Sequence, residues 1–445
     1  MKPSCVWMFG LALIVSGGNA GAAALDAPHA IHHARAAESH LSEPHRAAGR
    51  RAASHAFIPA PNPTVRHAES SHAAQAHSAA KAAPARHEAH LTARGRSRAT
   101  ARRVAIVSGR HHSYERFTAS SFAQGDIGEG DVTAGEDPVV RQAAIDALGD
   151  MNGTAVVINP ANGRILAMVN QKLALSPGAE PCSTIKITVA MAALSEGLVT
   201  RDTQVQLAGF RMDMTTALAR SNNLYFEEMG RELGFERVRH YATQFGLGEL
   251  AGYNIAGEQL GVYPDQELPA SEGGVGRMCS FGQGVSLTPL QLGAYVAALA
   301  NGGTLYYLQH PTTKDEVAAF EPKVKRTLDI ARYVPDIEDG MAGAVEYGTA
   351  RRLRVSFNSL PIFGKTGTCS NNGTRLGWFA AFSDSPQGSL VTVFFLEGGR
   401  ATFGPAAAGL TGLFYKNLWD RNYFAGTGVQ DAASVPAAAS QPVRP

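Results

Sequence analysis

Ser183 and Lys186 stand at the head of the apolar run Ile187 to Leu194, in the hexapeptide Pro181-Cys182-Ser183-Thr184-Ile185-Lys186. On a helix that starts at about Ser183 the hydroxyl and the ammonium share one face, one turn apart. Serine is a weak nucleophile at neutral pH, and lysine becomes a competent base only when burial and nearby positive charge pull its pKa down. The run supplies the burial: Ile185, Ile187, Val189, Met191 and Leu194 leave no polar face except at Thr188 and Ser195. Taken alone, the hexapeptide equally fits a core helix whose serine is an N-cap and whose lysine snorkels to the surface. The pattern also occurs by chance at Ser78-Ala79-Ala80-Lys81, inside a tract of low complexity.

Two further stretches carry chemistry. Lys365-Thr366-Gly367-Thr368 falls at the end of a predicted strand, where glycine removes a side chain so that a substrate backbone can lie alongside. The lysine offers a positive field and the threonine hydroxyls offer donors to a carboxylate. Ser221-Asn222-Asn223, on a loop between two predicted helices, supplies a hydroxyl able to relay a proton and an amide able to hold a peptide group. Ser370-Asn371-Asn372 repeats that pattern but follows the strand instead of preceding it, and is set aside.

The elements that must position these residues are legible from caps and periodicity. Asp137-Pro138 opens a helix that ends at Gly149. Thr154 to Ile158 and Ile165 to Val169 read as strands, joined by the turn residues Asn159-Pro160-Ala161-Asn162-Gly163. After the Ser183 helix come helices over Met214 to Arg220, Leu224 to Leu233 and Glu236 to Phe245, an all-helical insertion. Thr288-Pro289 caps a helix that runs to Ala300 and stops at Gly302-Gly303. Ile362 to Thr368, Trp378 to Phe382 and Leu390 to Leu396 read as three strands, followed by a helix from about Pro405 to Trp419.

Outside this block the composition changes. Residues 1–22 combine Lys2, an apolar run from Val6 to Val15 and Ala20-Gly21-Ala22, which reads as an export signal. The alternative is an uncleaved membrane anchor, since Val6 to Leu25 reaches the roughly 20 residues that span a bilayer. Residues 23–103 are rich in Ala, His, Arg, Ser and Pro and read as a disordered basic linker. Eleven of the 15 histidines lie there, at irregular spacing and without cysteine, so no metal site is expected. Residues 104–425 form the folded domain and 426–445 a disordered tail. With Lys+Arg 40 against Asp+Glu 38, nothing points to nucleic acid.

In this order, Ser183-Thr184-Ile185-Lys186, Ser221-Asn222-Asn223 and Lys365-Thr366-Gly367 resemble the signature of the penicillin-binding transpeptidase and serine β-lactamase superfamily. Ala155-Val156-Val157-Ile158-Asn159-Pro160, Gly257-Glu258, Gly282-Gln283-Gly284 and Gly377-Trp378-Phe379 look like the transpeptidases more than the β-lactamases. The chain departs from the family at Cys182, where glycine is frequent, and in the short span from Ser183 to Ser221. Neither a glycosyltransferase domain nor a folded pedestal is expected in it.

The resemblance implies an α/β (α+β) fold: a five-stranded antiparallel sheet flanked by helices, plus a helical lobe. It implies catalytic roles for Ser183, Lys186, Ser221 and Lys365, with Asn223, Thr366, Gly367 and Thr368 binding substrate and no metal or cofactor. Lys186 would take the proton of Ser183 as it attacks a D-Ala-D-Ala stem peptide of peptidoglycan, and Ser221 with Lys365 would return one to the departing D-Ala. β-Lactams would be trapped as covalent inhibitors. Such an enzyme acts after export, in the periplasm or at the outer face of the cytoplasmic membrane. A β-lactamase, a D,D-carboxypeptidase and a non-catalytic β-lactam-sensing or wall-binding module stay open as alternatives. If N–H groups of Ser183 and Thr368 form the oxyanion site, then Cys182 and Cys369 lie within about 12 Å of each other, near disulfide range. Cys279 is the rival partner.

Overall fold

Asp137 accepts hydrogen bonds from the N–H groups of Val139 and Val140, and Pro138 occupies the first turn, so α1 (Pro138–Leu148) begins where its cap predicts. The computed structural model describes residues 120–425. The expected leader, linker and tail, and the expected start of the domain at 104, lie outside the described residues. After α1 come β1 (Gly153–Asn159) and β2 (Arg164–Val169), an antiparallel pair with a bulge between Val157 and Ile158. The turn closes because Asn159 accepts from Ala161 N, Asn162 accepts from Arg164 N, and Gly163 takes φ 77°.

A short α2 (Gln171–Ala174) precedes a single 3-10 turn, Cys182–Ile185, which runs into α3 (Lys186–Ser195). A small hairpin, β3 (Val205–Leu207) with β4 (Phe210–Met212), leads to the lobe helices α4 (Met214–Arg220), α5 (Asn223–Leu233), α6 (Phe235–Gln244) and α7 (Gly274–Phe281). Next is α8 (Pro289–Ala300), opened by a capping box in which Thr288 and Gln291 satisfy each other's backbone. A second small sheet, β5 (Thr304–Tyr306) with β6 (Val324–Thr327), flanks α9 (Lys314–Ala318) and is followed by α10 (Val334–Glu346). The chain closes with β7 (Ile362–Asn371), β8 (Thr374–Ser383), β9 (Val391–Gly398) and α11 (Gly404–Asp420).

The main sheet has the order β2-β1-β9-β8-β7, antiparallel throughout, with β7 at one edge. It is buried on both faces, and the period of two sorts the side chains. Trp378, Ala380, Val393 and Phe395 face a core shared with α3, α8 and the lobe. Phe379, Ala381, Phe394 and Leu396 face Ala407, Ala408 and Phe414 of α11 and the buried side of α1. Each such aromatic removed from water contributes about 1.5–3 kcal/mol. The fold is therefore the expected five-stranded antiparallel sheet with helices on both faces and a helical lobe.

The helices expected over Met214 to Phe245 are present, and the β3–β4 hairpin that precedes them is an addition to the reading. One local reading changes. Lys365-Thr366-Gly367 sits within β7, not at its end, since pairing with β8 continues through Asn371. Ser370-Asn371-Asn372 is the approach to a two-residue turn in which Asn372 and Gly373 both take positive φ, 48° and 81°, the geometry Asn-Gly favours. Among the helices the sequence did not announce, α10 carries Gly340 and Gly343, which lower helix propensity. An added Cβ on Gly340 would lie 2.6 Å from Leu218 Cβ, so close packing against α4 outweighs propensity there.

Candidate active site

Burial and capping bring the three motifs to one place. Lys186, the first residue of α3, is fully buried, and its Nζ lies 3.0 Å from Ser183 Oγ, 2.9 Å from Ser221 O, 3.1 Å from Ser221 Oγ and 2.6 Å from Asn223 Oδ1. Ser221 ends α4 in the left-handed region, φ 55° and ψ 46°, which turns both its carbonyl and its hydroxyl toward that lysine. The middle residue of the loop does something else: Asn222 caps α5 by accepting from Tyr225 N at 2.9 Å. Lys365, also fully buried, donates to Ser221 Oγ at 2.9 Å and to Thr366 O at 3.0 Å. One hydroxyl thus bridges two lysines.

Desolvation dominates the electrostatics of the pair. Burial, and next the charge of Lys365, push Lys186 down to about 6, while Glu227 pulls in the opposite direction. Burial alone brings Lys365 down to about 7. Four oxygens surround Lys186 Nζ, but an ammonium has only three N–H bonds. As a neutral amine Lys186 has two N–H bonds, which suit the carbonyl oxygens of Ser221 and Asn223, and one lone pair able to accept a proton from a hydroxyl. Glu227, the carboxylate that acts on Lys186, is itself held by Arg231 at 3.0 Å. Glu258 lies elsewhere in the loops, accepting from Ala251 N at 2.8 Å and Gly252 N at 3.0 Å.

The β7 residues divide by face. An added Cβ on Gly367 would sit 2.7 Å from Pro181 O and 3.1 Å from Thr184 Cγ2. The space its missing side chain leaves is filled by the Cys182–Ile185 turn, so this glycine first lets the strand approach Ser183. Thr366 and Thr368 are anchored from the other side: Thr366 Oγ1 lies 2.7 Å from Thr349 Oγ1, and Gly404 N donates to Thr368 Oγ1 at 2.8 Å. The sequence reading missed Thr349. Its only signal was a hydroxyl in Gly348-Thr349 just after a helical stretch, and long-range packing alone puts it beside Thr366. Trp378 Nε1 donates to Glu180 O at 3.0 Å, steadying the approach to the turn. Cys182 and Cys369 form a disulfide with Cα atoms 5.6 Å apart, inside the expected distance, and Cys279 is free and buried. Among the described residues no cluster of His, Cys, Asp or Glu could hold a metal ion.

All eight candidate residues fall within the span, residues 153–411, that matches the family model for the penicillin binding protein transpeptidase domain. The chain belongs to that family. This transpeptidase domain is 29% identical over 311 residues to stage V sporulation protein D of Bacillus subtilis (strain 168), an alignment covering 58% of this chain and 47% of that protein. It is also 29% identical over 231 residues to peptidoglycan D,D-transpeptidase MrdA of Escherichia coli (strain K12), covering 44% of this chain and 36% of MrdA. The chain spans less than half the length of these curated relatives. Among solved structures it superposes on Pseudomonas aeruginosa PBP2 in complex with WCK 5153 with a TM-score of 0.55 at 22% identity, over 66% of this chain and 79% of that one. That likeness shows a shared fold. Among the described residues of the transpeptidase domain, no helix is long and apolar enough to cross a membrane.

Proposed function

We propose that this domain is a serine D,D-transpeptidase acting on D-Ala-D-Ala stem peptides of peptidoglycan. The observation that carries the reading is the Ser183–Lys186–Ser221–Lys365 chain, with Lys186 Nζ 3.0 Å from Ser183 Oγ and Ser221 Oγ 3.1 Å and 2.9 Å from the two lysine nitrogens. Neutral Lys186 takes the Ser183 proton as Oγ attacks the carbonyl carbon of the penultimate D-Ala. The N–H groups of Ser183 and Thr368 receive the negative charge that develops on the carbonyl oxygen. As the tetrahedral intermediate collapses, protonated Lys365 delivers a proton through the Ser221 hydroxyl to the departing amine of the terminal D-Ala. Asn223 holds the donor peptide, and Thr366 and Thr368, braced by Thr349 and Gly404, bind its terminal carboxylate.

The ester on Ser183 is then transferred to an acceptor amine. A β-lactam opens on the same serine but leaves no departing group, so it stays attached. Hydrolysis of that ester needs a carboxylate to activate water. Glu258 is engaged by backbone N–H groups and Glu227 by Arg231, which favours slow deacylation and a transpeptidase over a β-lactamase. The substrate class requires export, which the leader expected at residues 1–22 would provide.

Labelling with a fluorescent penicillin, followed over hours for wild type and Ser183→Ala, tests this reading. Stable labelling of wild type and none of the variant is expected. Rapid release of label would move the protein to the β-lactamases, and labelling of Ser183→Ala would overturn the assignment of the nucleophile. Incubation with a D-Ala-D-Ala peptide and an amine acceptor separates transfer from the carboxypeptidase's release of D-Ala to water.

A further inference from the structure

The two residues of the disulfide are the chain neighbours of the two proposed oxyanion donors: Cys182 precedes Ser183, and Cys369 follows Thr368. The bridge joins segments 187 residues apart in sequence, the nucleophile turn and strand β7. Cys182 also stands in the left-handed region, φ 51°, where a side chain other than that of Gly, Asn or Asp is disfavoured. A residue persists there only when its surroundings over-determine it, and they do. An added Cβ on Gly282 would lie 2.5 Å from Pro181 Cγ and 3.2 Å from Cys182 O, while Gly367 packs against Pro181 O from the strand side. Trp378 holds Glu180 O. The turn is clamped on both flanks, and the disulfide is the one covalent member of the clamp.

We propose that the Cys182–Cys369 disulfide is a positioning element of the reaction, holding the N–H groups of Ser183 and Thr368 at a fixed separation and keeping Cys182 left-handed where glycine would adopt that conformation unaided. The proposal rests on the serine acyl-enzyme reading above. Its consequence is a site whose acylation depends on redox state. A small dithiol reduces the bridge: two electrons and two protons pass to the sulfurs, the S–S bond breaks into two thiols, and the dithiol closes into a cyclic disulfide. The freed Cys182 then relaxes toward negative φ and carries the Ser183 N–H away from its aim. Losing the alignment of one oxyanion donor lowers the acylation step by about tenfold or more.

The test measures acylation by a penicillin at several concentrations, which separates the non-covalent dissociation constant from the acylation rate constant. It uses the full chain, oxidised or held in excess dithiothreitol with the thiol count read by mass spectrometry. Cys182→Ala/Cys369→Ala and Cys182→Gly/Cys369→Ala are measured beside it, all below their melting temperatures. The expected result is that reduced wild type and the Ala/Ala variant lose acylation rate at nearly constant dissociation constant, while the variant with glycine at 182 recovers most of it without a bridge. Equal acylation rates in oxidised and reduced protein, or in the Ala/Ala and glycine variants, would overturn the proposal. If reduction unfolds the wild type, the comparison of the two variants decides. Failure of the oxidised wild type to acylate at Ser183 would instead sink the underlying reading, so the two failures are distinguishable.

Discussion

The two faces of the central sheet use the same strands for opposite purposes. Under α11, alternate residues of β8 and β9 bury Phe379, Phe394 and Leu396 against Phe414 and the small residues Ala407 and Ala408. On the face that carries α3, the same strands bury Trp378 and Phe395, yet beside them two lysines are fully desolvated and two non-glycine residues, Cys182 and Ser221, hold left-handed backbone. The first face buries mainly apolar groups, and the hydroxyls of Thr392 and Thr411 there donate to backbone carbonyls. The second spends part of its packing on groups that would be more stable in water. Function lies on the face where a well-packed core holds desolvated lysines and left-handed backbone.

Three substitutions sharpen or break that contrast, in falling order of effect. Lys186→Ala removes the proposed base and should lower penicillin acylation by about 10²–10⁴-fold at neutral pH. Circular dichroism would show native helix content; unchanged acylation would mean that the desolvated lysine is structural. Phe414→Ala opens a cavity on the other face and should lower unfolding free energy by about 3–5 kcal/mol in urea titration. Acylation measured well within its folded range should match wild type, and a large drop would show that the faces are coupled. Thr349→Val keeps the volume but removes the partner of Thr366 Oγ1. It should weaken penicillin binding before acylation by about 1 kcal/mol, or roughly fivefold, with the acylation rate constant little changed.

Much of this arrangement was legible from residue types. Helix caps at Asp137 and Thr288, the hairpin around Asn159 and the buried run after Lys186 each carry a local cause, and each appears in the structure where that cause puts it. The Ser370-Asn371-Asn372 repeat was rightly set aside, for a reason visible only once β7 and β8 pair around Asn372-Gly373. What escaped has non-local causes. Helices α7 and α10 contain glycines chosen for contact, with Gly276 against Glu227 O and Gly340 against Leu218, so their propensity signal is weak. Thr349 reaches the site through packing of α10 beside β7, and no spacing rule links residues 349 and 366. The role of Gly367 was read as clearing room along the strand, whereas the space beside it belongs to the nucleophile turn. The proximity of Cys182 and Cys369 could be anticipated only through the oxyanion site that the family resemblance implies.

Desolvation makes Lys186 the proposed base at neutral pH, and the pH dependence of acylation at Ser183 is the direct test. Burial and Lys365 bring Lys186 to about 6, and burial brings Lys365 to about 7, against 10.5 for both in water. The reaction needs Lys186 neutral, so its rate rises as pH passes about 6. It needs Lys365 protonated to return the proton to the departing amine, so with a D-Ala-D-Ala peptide the rate falls again as pH passes about 7. The expected profile of kcat/KM with that peptide is bell-shaped, its maximum near neutrality. A rate that keeps climbing through alkaline pH toward 10.5, the ordinary lysine value, would contradict it.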